Sequence, residues 1–97
     1  MMRDAAFYFA NLGADVSRCV RAAKEGNEVR YEDSLARAYR TLEELHKTSR
    51  PEAYEEGLLM LRGLALARKA PETLAAFQTS LDSLISVFSA RGVHTTV

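Results

Sequence analysis

Apolar residues recur along this chain at steps of three and four, in successive blocks separated by short polar joints. Each block reads as one amphipathic helix. In the first, Phe9, Leu12, Val16, Cys19, Val20 and Ala23 form a single stripe, predicting a helix over about residues 4–25. "KEGNE" closes it: Gly26 suits a left-handed position just past a helix, and Asn27 can cap the next one. So short a joint implies an antiparallel hairpin.

The second block, about residues 28–47, carries Tyr31, Leu35, Ala38, Leu42 and Leu45 at heptad spacing. Its other faces alternate in sign through Arg30, Asp33, Arg37, Arg40, Glu43, Glu44 and Lys47, the pattern of a wet surface. In the joint "HKTSRPEAYEE", Ser49 and Glu52 match a capping box, with Pro51 in the first turn of the following helix. Glu52, Glu55 and Glu56 then sit at its positive end, and Arg68 and Lys69 at its negative end. That third helix is predicted over about residues 51–69.

Pro71 disfavours helical geometry at Ala70. Two geometries follow from it: a tight antiparallel turn, or a kink in one helix of about 40 residues that would favour an intertwined dimer. The turn is preferred, because so long a helix is rare in a small domain. The fourth helix, about residues 72–90, buries Leu74, Phe77, Leu81, Leu84, Ile85 and Phe88. Arg91 and Gly92 are expected to end it, leaving 93–97 as a tail. The fold expected is all-α: one domain over residues 1–92, an up-down-up-down four-helix bundle that dimerisation could complete.

The third helix has more apolar surface than a small bundle needs. From Leu58 to Ala67 the only residues that are not apolar are Arg62 and Gly63. An inner stripe of Tyr54, Leu58, Leu61, Leu64 and Ala65 leaves a second one: Leu59, Gly63, Leu66 and Ala70, with Met60 and Ala67 alongside. Exposed, such a face marks an interaction surface. The fourth helix has, after Glu72, only Asp82 and Arg91 ionised, and its outward stripe is Ala76, Ser80, Ser83, Val87 and Ala90. Small, uncharged residues in a row suit close helix approach. Helix one has a shorter counterpart in Ala6, Ala10, Gly13 and Ser17. Leu59, Gly63, Leu66, Ala76, Ser80, Ser83 and Val87 are therefore the candidate interface, with a second copy of the chain as first candidate partner. The alternatives are a different helical protein, or a third helix that is simply central in the monomer.

Composition narrows the partner further. Thirteen basic residues balance thirteen acidic ones, so no bulk field draws phosphate backbones or anionic lipid, and nucleic-acid and membrane partners are disfavoured. The apolar run of the third helix is half the length a membrane span requires, and "MMRDAAFYFANLG" is too short an apolar run for a secretory signal. A single cysteine, Cys19, cannot form an internal disulfide and reads as a buried apolar group in a reducing cytoplasm.

Little in the chain points to chemistry, and no cofactor or metal is expected. Glu43 and His46 have the Glu-x-x-His spacing of a di-iron bundle, but one copy supplies half a site. Otherwise they are a surface ion pair. "RTLEELH", Arg40 to His46, resembles the Arg-x4-6-His motif of HEPN ribonucleases. Those are all-α proteins that dimerise so that the motif lines a shared cleft. The resemblance covers these seven residues, and Thr41 stands where the family usually carries Asn, Asp or His. It implies an alternative function, RNA processing or a toxin–antitoxin role with His46 as general acid and Arg40 beside it. On an ideal helix the two lie about 120° apart. His94 lies near the tail, and Thr95-Thr96-Val97 fits the loose pattern of a C-terminus captured by strand addition.

Overall fold

A computed structural model describes residues 3–94; the side chains of Ile85 and of residues 87–94 lie outside the described set. Every element among the described residues is a helix: α1 (Ala5–Glu25), α2 (Glu28–His46), α3 (Pro51–Ala67) and α4 (Pro71–His94).

The joints explain the boundaries. Asp4 caps α1 by accepting the Phe7 backbone N–H at 3.0 Å. Gly26 ends the helix in the left-handed region at φ 68°, and Asn27 accepts from the Arg30 N–H to start α2. At the second joint the expected capping box does not form. Arg50, not Ser49, occupies the cap position of α3 and makes no side-chain cap hydrogen bond. Ser49 instead adopts φ 60° in the turn that follows α2, which removes its hydroxyl from the cap position. Pro51 opens α3 as expected.

Pro71 is a turn and not a kink, since α3 stops at Ala67 and α4 starts at Pro71. No glycine closes this joint. The Thr73 hydroxyl reaches back to the carbonyls of Ala67 (2.7 Å) and Ala70 (2.9 Å), sharing its one proton between them and bracing the turn; both carbonyls also accept backbone N–H groups, from Ala70 and Leu74. At the far end α4 runs on to His94, past the stop expected at Arg91–Gly92. A glycine in a last turn costs only about 1 kcal/mol relative to alanine, which leaves continuation open.

Short joints alternate the chain direction, giving the four-helix bundle, 41 Å along its longest axis. α1 and α3 lie on one diagonal and touch each other as well as both neighbours; among the described residues α2 and α4 are not in contact. The stripes predicted for α1 and α2 are the core: Phe9, Leu12, Val16, Cys19 and Val20 meet Tyr31, Ala38, Leu42 and Leu45. Leu74 and Leu81 close it from α4.

α3 presents a rotated face. Its buried residues are Gly57, Met60, Leu61, Leu64 and Ala67; Tyr54 and Leu58 are half-buried and Ala65 is exposed. The cause is Gly57. A β-carbon there would lie 2.8 Å from methyls of both Leu12 and Leu42, so only a bare backbone lets α3 press this close to α1 and α2. The line through Gly57, rather than the one through Tyr54 and Ala65, therefore faces inward.

Two polar clusters fix the packing. Arg68, just past α3, donates from its Nη2 to both carboxylate oxygens of Glu28 at the start of α2 (2.8 Å to each), and its guanidinium lies 3.7 Å from the ring centre of buried Tyr31. Asp15, only 3% exposed, accepts from Arg18 at 2.9 Å and from the Thr41 hydroxyl at 3.0 Å, tying α1 to α2. Both of its oxygens are partnered, as a buried carboxylate requires.

Candidate functional site

Leu59 and Leu66 are the largest apolar exposures on α3, at 57% and 66%. Seven residues apart, they lie on one stripe about 10 Å along the helix. They point away from the buried line through Gly57, Leu61 and Leu64, because those positions fall on the opposite side of the helix.

Beside Leu59 runs a shallow groove between α3 and α4 of about 170 Å³, lined by Leu59, Met60, Phe77, Ser80, Leu81 and Leu84, with Glu56 at its edge. It brings Leu59 and Ser80, candidates from two different helices, to one surface. Ala76 and Ser83 are exposed on the same helix as Ser80. The Val87 side chain lies outside the described set.

The remaining candidate is used differently. Gly63 is half-buried against Phe77 of its own chain: a β-carbon there would come 3.1 Å from Cε1 of that ring. Its missing side chain serves the α3–α4 crossing within the monomer. Met60 and Ala67, placed alongside the second stripe, are buried in the core. The surplus on α3 is therefore narrower than the sequence implied: two leucines, with Ala65 at their flank.

His46 stacks on Tyr54 with ring centres 4.1 Å apart, and its Nδ1 stands 4.0 Å from a Glu43 carboxylate oxygen at the exposed end of α2. Arg40 is exposed. Thr41, between them in sequence, turns to the Asp15 carboxylate, so the side that follows Arg40 packs inward. A second, mixed-charge cleft of about 350 Å³ lies where the start of α1 meets the end of α2, between Arg3, Asp4, Tyr8, Lys47 and Arg50. Among the described residues, no three His, Cys, Asp or Glu side chains group as a metal site would need. Nor is any helix among them long and apolar enough to cross a membrane.

Cys19 is fully buried, its thiol directed at the Tyr31 carbonyl at 4.0 Å. Burial, with the Asp15 carboxylate adding to it, pushes the thiol up to about 11, so thiolate is scarce at neutral pH. A thiol reagent at pH 8 is expected to modify the native protein at least about 100-fold more slowly than the same chain in denaturant. Equal rates would place the thiol on the surface and break the α1 stripe.

Gly57, Asp15 and the Glu28–Arg68–Tyr31 cluster escaped the sequence reading. Asp15 had a faint signal, an acid flanking the apolar stripe with Arg18 three residues on. The Arg68 contact joins positions 40 residues apart, and no local pattern encodes it. Comparison with family models, curated proteins and solved structures returned no match for this chain.

Proposed function

We propose that this protein is a non-enzymatic helical interaction module that pairs with a second copy of itself through the outer faces of α3 and α4. The observation that carries the reading is the pair of exposed leucines, Leu59 and Leu66, on one stripe of α3 beside an apolar groove. The neighbouring face of α4 suits close approach: Ala76, Ser80 and Ser83 are small, exposed and uncharged.

Burying a leucine contributes roughly 1.5–3 kcal/mol. A two-fold contact buries each of them twice, which can offset the cost of association. A single buried cysteine with no second one in the sequence to pair with fits a reducing cytoplasm as the working compartment.

Ser83→Arg tests the α4 half of the surface. A long charged side chain at a close crossing is expected to weaken pairing about tenfold or more, with thermal unfolding of the dilute monomer unchanged. Normal pairing by that variant would remove α4 from the interface. RNA binding with a steep salt dependence, lost on replacing Arg40 and His46, would instead support the RNA-processing alternative.

A further inference from the structure

The charged residues around the two leucines run in one direction along α3. Glu55 and Glu56 precede Leu59, Arg62 stands between the leucines, and Lys69 follows Leu66; all are exposed. Among the described residues none of the four forms an ion pair within its own chain, whereas Arg68 is already held by Glu28. Acid at one end of an apolar stripe and base at the other make a surface complementary to its own reverse.

We propose that the second copy docks with its α3 antiparallel to the first, about a two-fold axis at Arg62–Gly63. This rests on the self-pairing reading above and adds its direction and register. Leu59 and Leu66 are equidistant from that axis, and Glu55 and Lys69 nearly so, on one flank of the stripe. Each Leu59 then meets the partner's Leu66, and each Glu55, on the same flank of the stripe as Lys69, meets the partner's Lys69. A parallel pairing would face acid with acid, base with base, and align the two helix dipoles. Rim charges of this kind select orientation and register more than they add affinity. At the axis Arg62 approaches the partner's Arg62, whose stem is long enough to carry the charge outward into water. Removing that like-charge approach tightens the dimer.

Single-cysteine crosslinking reads the register in the intact chain. Cys19 does not compete, being fully buried with a thiol raised to about 11. Disulfides need α-carbons within about 7 Å. In the antiparallel register, Leu59→Cys lies about 10 Å along the axis from its own counterpart. It should not crosslink to itself, but should crosslink efficiently when mixed with Leu66→Cys. Arg62→Leu should lower the dissociation constant severalfold, measured by sedimentation. Leu59→Cys that crosslinks readily to itself, in a wild type that is dimeric, would overturn the antiparallel register and leave self-pairing standing. A monomeric wild type would overturn both. Helical circular dichroism equal to wild type shows that each exposed-site variant is folded.

Discussion

Replacing Leu66 by arginine is expected to leave the chain folded and monomeric. Leu66 is two-thirds exposed in the single chain, so the monomer loses almost no packing when it changes. In the pair it would enter a dry contact, and a guanidinium there must be desolvated without a partner. Losing one leucine contact and burying a charge, twice per dimer, amounts to about 3 kcal/mol or more, a rise of at least about 100-fold in the dissociation constant. Two measurements separate assembly from folding. Sedimentation should show a monomer at concentrations where the wild type pairs. Thermal unfolding, at dilution where both are monomeric, should coincide, because pairing stabilises only by mass action. A lower melting point under those dilute conditions would show that Leu66 supports the monomer core.

Leu12→Ala is expected to have the largest effect on the monomer itself. Leu12 is fully buried on α1 and its methyl sits over the bare backbone of Gly57. Truncation at such a site costs about 2–5 kcal/mol, the spread reflecting how far the surroundings relax. Against a total of roughly 5–15 kcal/mol for a domain, that is a large fraction, readable as a lower denaturant midpoint with an unchanged slope. Gly57 offers a check on the cause. Gly57→Ala alone should cost about 1–2 kcal/mol, overpacking partly offset by better helix propensity. Combined with Leu12→Ala it should cost less, since one of the two crowded methyls is gone. Strict additivity would show that the two sites do not share a contact.

Much of this architecture is legible in the sequence, for a physical reason. The α1 and α2 stripes are strongly periodic, and their joint is encoded locally by Gly26 and Asn27. Where local chemistry was ambiguous, tertiary context decided. Ser49 had the spacing of a capping residue but took a left-handed turn. The face of α3 is only partly legible: Leu61 and Leu64 are buried as the inner stripe requires, but almost every position is apolar, so periodicity alone does not decide among Tyr54, Ala65, Met60 and Ala67. A glycine that makes close packing possible leaves no hydrophobic signal at all. The same ambiguity runs through the candidate surface: Leu59 and Leu66 are exposed as that stripe requires, whereas Gly63, expected outside, packs on Phe77. Buried Asp15 followed from its partners Arg18 and Thr41, and Thr41 lies 26 residues away.

The central claim is that the exposed α3–α4 face is covered by a second copy of the chain. Sedimentation equilibrium of the wild type across the micromolar range tests it most directly. The account predicts a reversible, concentration-dependent rise in mass from 10.8 kDa to twice that value, without larger species. A mass that stays at 10.8 kDa throughout the range would contradict it.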